Sequence, residues 1–197
     1  MRWATLSHLH LDRVAACWLI RRFVDPDAQF TFVEWGLDGR RPGPELLASV
    51  PAGDTAVGIP GARLGLQDEN GTGFAKVLRA YELKDPALWG MERIVAAGVR
   101  HALRTPASDG ETEEERTLGA AMDMLGAAYG VAFDDAEHLE HALPLYDALY
   151  THCRTRQLPE AFLTAAPSLP PLRTPYLRAA LAKPDSSAPS TAPRIPL

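Results

Sequence analysis

The stretch Asp12-Arg13-Val14-Ala15-Ala16-Cys17-Trp18-Leu19-Ile20-Arg21-Arg22-Phe23-Val24-Asp25-Pro26 sets the fold. It reads as a helix that starts at Asp12 as N-cap and stops at Asp25-Pro26, because the residue before proline is driven out of the helical region. With Arg13 at zero and a turn of about 100° per residue, Cys17 falls at about 40° and Arg21 at about 80°. These three form one stripe, and Ala15, Ala16, Leu19, Ile20 and Phe23 fill the far side. A helix so apolar is expected to be buried nearly all round, and its guanidinium groups then require partners. Arg22, at about 180°, is expected to cover surface with its stem.

Outward from the helix, Trp3–Leu6 reads as a first strand. Gln29–Trp35, rich in β-branched and aromatic residues, reads as a second, giving a βαβ-like start. Pro44–Ser49 predicts a short helix, and Thr55–Ile59 and Arg63–Gln67 predict strands joined at Pro60-Gly61. From Phe74 the period becomes helical over Phe74–Leu83, Pro86–Leu103, Glu113–Tyr129 and Asp135–Cys153. Acidic Glu113-Glu114-Glu115 suits a helix N-terminus, and Asp134 with Glu137 is a capping signature. The expected class is α+β: a small sheet packed against a predominantly helical C-terminal half, as one domain over residues 1–165. Residues 166–197 hold eight of the 17 prolines. That segment is expected to dock through a short helix at Leu177–Lys183 and to be disordered beyond Pro184.

The composition is that of an ordinary globular chain, with 46% hydrophobic and 23% charged residues. A net charge of −5 and the absence of any basic cluster argue against nucleic-acid binding. No apolar run has the length of a signal or a membrane span, and two cysteines far apart in sequence suggest neither a disulfide framework nor a zinc ribbon. A cytoplasmic protein without membrane contact is expected. The apolar excess on several helices leaves a homodimer open.

Arg13 and Arg21 on one face, near a helix start, describe either a place for an anion or a pair of structural ion pairs. Asp147, set among Tyr146, Leu149 and Tyr150, is the expected carboxylate partner of Arg13 or Arg21. His8, His10 and Asp12 alternate with leucines, so an extended backbone aims all three to one side, a set suited to divalent iron, zinc or manganese. Asp68 and Glu69 in the glycine-rich Gly65–Phe74 passage read as candidate metal ligands, as a base, or as residues of a simple exposed turn. Cys17 admits two readings, a low-pKa nucleophile beside arginines or a small apolar filler.

The motifs Asp12-Arg13, Trp18–Ala28, Ile59-Pro60-Gly61, Arg93-Ile94-Val95 and Leu145–Tyr150 with Cys153-Arg154 resemble the C-terminal domain of the ChrB-type chromate-resistance proteins over residues 1–155. The resemblance implies an oxyanion-related stress response and carries no DNA-binding region over. The chain departs from the family pattern at three places. Ala15-Ala16-Cys17-Trp18 stands for Ala-Cys-Pro-Trp, Gly65–Asp68 stands for Ser-His-Arg-Gly, and Ala97-Gly98 replaces Ala-Asp. Three functional readings follow. In the first, a pocket holds an anionic small molecule through Arg13, Arg21 and Trp18, Asp147 and Tyr150 orient it or exchange protons, and His8, His10 and Asp12 hold a metal. In the second, the same pocket belongs to a metal-dependent or acid–base enzyme acting on a carboxylated substrate. In the third, the chain is a non-catalytic interaction module.

Overall fold

The computed structural model describes residues 1–36 and 41–182. β1 (Arg2–Leu6) is the middle strand of a three-stranded parallel sheet of order β2-β1-β3. β2 (Gln29–Val33) pairs with it from Arg2↔Gln29 to Leu6↔Val33, and β3 (Thr55–Ala56) pairs on the other side from Trp3↔Thr55. The crossover from β1 to β2 is α1 (Leu11–Leu19), extended by a π-helical turn over Ile20–Val24. The expected βαβ start is therefore present. The expected strand over Arg63–Gln67 is not: Leu64 makes one isolated bridge with Val57, and Gly65 N turns back to Ala62 O.

Alternation along the strands divides the core. Trp3 and the half-buried Phe30 and Phe32 face the helices, and Ala4, Leu6, Val33 and Ile59 form a small cluster on the opposite face. That second face is closed by a 3₁₀ turn at Pro44–Ser49, whose Leu46 packs against it.

The helical layer follows as α2 (Gly73–Ala80), α3 (Pro86–Leu103), α4 (Glu113–Ala132) and α5 (Asp135–Thr155). Their starts are chemically specified. Thr72 Oγ1 accepts from Ala75 N at 2.9 Å, Asp85 from Ala87 N at 2.8 Å and Asp134 from Glu137 N at 2.9 Å. Thr112 and Glu115 form a full capping box. α2 stops at Ala80, short of the expected Leu83, and Glu82 just beyond is left-handed (φ 51°). α6 (Glu160–Ala165) and α7 (Pro170–Ala182) complete the described residues. α7 begins earlier than the expected Leu177 and touches α5 where Arg154 reaches Leu181 O at 3.5 Å. The expectation for the segment beyond residue 182 lies outside the described residues.

Trp18 is the hub of the core. Its fully buried ring lies 5.6 Å from Phe23, 5.7 Å from Tyr150, 6.4 Å from Phe74 and 6.5 Å from Tyr146, so α1, the π turn, α2 and α5 meet on one indole. α3 and α4 cross at two glycines. A Cβ on Gly119 would stand 2.5 Å from Gly98 N, and one on Gly98 would stand 2.7 Å from Gly119 O. Here backbone touches backbone, and no side chain at either position has room to move aside. Replacing Gly98 or Gly119 by alanine is expected to lower the unfolding free energy by about 1–3 kcal/mol in urea titrations. Gly36→Ala, where nothing lies within 4 Å, should leave it unchanged.

Candidate functional site

Asp12 lies inside α1 rather than capping it. The N-cap is His10, which makes no side-chain cap, and both Asp12 oxygens point across the core to α2. They accept from Gly73 N at 2.8 Å and Phe74 N at 2.9 Å. Burial pushes this carboxyl up from its ordinary range, and the two amides pull it back. Asp12 is thus a cap in trans, neutralising the positive end of a neighbouring helix.

Arg13 sits at the carboxyl end of the sheet. Its Nη2 donates to His8 O, and its guanidinium carbon lies 5.8 Å from the centre of the Trp35 ring. Among the described residues Arg13 makes no ion pair, its buried Nε has no hydrogen-bond partner, and burial pushes its pKa down. Asp12 and Asp135 act on it only at longer range, both engaged with backbone amides: Asp135 accepts from His8 N at 2.9 Å and Leu9 N at 2.6 Å. The neighbouring Thr5 Oγ1 is also buried without a partner. Gly58, with φ +64°, makes the space: a Cβ there would stand 2.9 Å from Arg13 Cγ and 3.3 Å from Thr5 Oγ1.

The other histidines diverge. His8 is left-handed (φ 56°) and exposed. His10 Nε2 meets Asp123 Oδ1 at 3.0 Å, and His101 Nδ1 meets the other oxygen of Asp123 at 2.7 Å. His8, His10 and Asp12 therefore point to three separate places, because the loop is not extended and Asp12 belongs to a helix. Asp68 pairs with Lys76 at 2.8 Å, a contact that holds its carboxyl below the usual range. No group of three or more histidine, cysteine or carboxylate residues among those described is arranged to hold a metal.

The arginine stripe breaks at the π turn. Arg21 pairs with Glu140 and stacks its guanidinium 5.4 Å from the Phe30 ring centre, on a groove of about 310 Å³ between β2 and α5. Arg22, expected at the surface, is the partner of Asp147: Nε to Oδ1 at 2.9 Å and Nη2 to Oδ2 at 2.8 Å. Trp18 Nε1 donates to the same Oδ1 at 2.7 Å. The physical reason is that α5 covers this side: Trp18 and Arg22, at about 140° and 180° on the same wheel, both meet Asp147 of α5, while over Ile20–Val24 the turn widens and Asp25 N bonds Ile20 O five residues back. Trp18 is buried as a core ring with its N–H engaged, and Tyr150 donates to Asp85, the N-cap of α3. Tyr146 donates to Leu11 O at 2.8 Å. Arg22, Thr5, Trp35 and Asp135 escaped the sequence reading, since their partners lie far along the chain.

The model of the ChrB C-terminal domain matches residues 3–153, from β1 to Cys153 of α5. The chain belongs to the ChrB C-terminal-domain family. It is 61% identical over 33 residues to Protein ChrB of Cupriavidus metallidurans, a stretch that is 17% of this chain and 10% of that relative. No solved structure matches. The matched span of this ChrB-family domain contains Arg13, Arg21, Arg22 and Asp147 and leaves α6 and α7 outside.

Cys17 is fully buried and its thiol is pushed up to about 12 by burial; Cys153 is pushed up to about 11 for the same reason. Both are core fillers. In the native protein at pH 8 neither should react with a thiol reagent over an hour, and both should titrate in denaturant. Asp147→Ala, which leaves Arg22 and Trp18 without their acceptor, is expected to cost about 2–3 kcal/mol in urea unfolding. Arg22→Lys should also destabilise, because an ammonium does not reproduce the bidentate fork.

Proposed function

We propose that this ChrB-family domain binds a small oxyanion of the chromate and sulfate type at the carboxyl edge of its sheet, with Arg13 as the principal donor. One observation carries the proposal: among the described residues, a guanidinium with a buried, partnerless Nε and no carboxylate paired to it. A cation placed so is stabilised by an anion that replaces the solvent it has lost. Its position agrees with the general rule for open parallel sheets. In the order β2-β1-β3 the chain passes from β1 to β2 on one side and from β2 back across β1 to β3 on the other, and ligands of such sheets sit beyond the carboxyl ends of the strands where the order reverses. Thr5 Oγ1 supplies a hydroxyl beside it, and the Trp35 ring forms a wall.

Arg21 is left out of this site because Glu140 already neutralises it. Trp18 is left out because its indole is closed within the core. No proton-transfer role is assigned to Asp147 or Tyr150, whose polar atoms hold α5 to the π turn and to the start of α3. No metal is assigned to His8, His10 and Asp12, whose polar atoms are directed apart. Membership of a chromate-resistance family makes chromate the first anion to try, and no helix among the described residues is long and apolar enough to cross a membrane.

Thermal melts test the site. At about ten times its Kd an anion should add about 1.4 kcal/mol and raise Tm by about 3–5 °C. Chromate and sulfate should produce that rise in the unaltered protein and in Arg21→Ala, and neither should produce it in Arg13→Ala. An equal rise in Arg13→Ala, or none in the unaltered protein, overturns the assignment.

A further inference from the structure

β2 is an edge strand whose hydrogen-bonding groups follow a fixed alternation. Gln29 N donates to Met1 O at 3.3 Å and Ser7 N donates to Val33 O at 2.9 Å, so the odd residues of β2 bond to β1. The N–H and C=O groups of Phe30 and Phe32 must therefore project from the outer edge. Among the described residues no strand pairs there. Edges of this kind are usually blunted by charge, proline or a bulge. Gln29-Phe30-Thr31-Phe32-Val33 carries none of these.

The same five residues are self-complementary about their centre. In an antiparallel pairing with a second copy, Thr31 meets Thr31, Phe30 meets Phe32 and Gln29 meets Val33. Both Phe30–Phe32 pairs are then hydrogen-bonded pairs, each exchanging two N–H···O bonds, and Thr31 sits at the non-hydrogen-bonded centre. No charged residue lies within the paired segment, so no like charges face each other across it. The side chains agree with the backbone. Phe30 and Phe32 are only half buried and border the groove of about 310 Å³ whose far wall includes Leu139 of α5. Cross-strand phenylalanines from a second copy would extend that apolar wall at the open edge.

We infer that β2 is the interface of a two-fold homodimer, joining two three-stranded sheets into one of six strands. The inference is independent of the anion site. It is specific about register, which makes it testable in the intact chain. Light scattering after size exclusion at about 50–100 μM should give twice the 21.4 kDa of the chain. Phe32→Pro removes an outward N–H that β1 does not use, and should return the protein to the monomer mass. Thr31→Cys places two thiols opposite each other in a non-hydrogen-bonded pair and should form an intermolecular disulfide under mild oxidation, while Gln29→Cys should not. The native thiols are buried and do not compete. Monomer mass in the unaltered protein overturns the inference, as does a dimer that survives Phe32→Pro. If Phe32→Pro does not fold, the Thr31→Cys and Gln29→Cys pair decides alone, and equal crosslinking of the two overturns the register.

Discussion

The commitment of Asp12 to the start of α2 organises the rest of the molecule. A carboxylate in the first turn of α1 ordinarily serves its own helix, but here both of its oxygens reach Gly73 N and Phe74 N. A Cβ at Gly73 would meet Asp12 Oδ2 at 3.0 Å, so the approach leaves little space to spare. Three consequences follow. α2 is anchored against α1, which brings Phe74 onto Trp18. His10 is left as N-cap without a capping side chain. Arg13 loses its nearest carboxylate as a direct partner and keeps only distant ones. A cation with no ion pair among the described residues, at the carboxyl end of the sheet, is thus a by-product of how two helices are joined.

At the opposite end of α1 the need for pairing is met locally. The π turn brings Arg22 onto Asp147 and leaves Arg21 on Glu140, so both arginines have carboxylates from α5. The two ends of one helix therefore differ in kind. Its C-terminal arginines tie elements together, and its N-terminal arginine faces a space lined by Thr5, Trp35 and the His8 backbone. His138 adds a second unusual group beneath the same loop. It is buried, neither ring nitrogen has a partner among the described residues, and burial lowers its pKa.

Much of the fold was legible because hydrophobic period is a local property. The β1-α1-β2 start, the four helices that follow, the cap at Asp134 and the acidic first turn at Glu113-Glu114-Glu115 follow from spacing and chemistry within a few residues. What escaped was set at a distance. Asp12 looked like its own helix's cap, because nothing near it reveals amides 61 and 62 residues away. Arg22 looked exposed because nothing near it reveals Asp147, 125 residues along the chain, on the same side as Trp18. Arg63–Gln67 looked like a strand because its alternation was real, although only Leu64 found a bridge. Arg13 was singled out as a cation in need of a partner, either an anion or a carboxylate, but the reason it makes no ion pair among the described residues is a property of α2.

The most direct measurement is nitrogen–proton NMR of the arginine Nε–H groups during a titration with chromate, which is diamagnetic. Arg13 should show the largest, saturable displacement, with Arg21 and Arg22 nearly still because Glu140 and Asp147 already hold them. A still Arg13 signal at saturating chromate, or a displacement spread evenly over exposed arginines, would contradict the account.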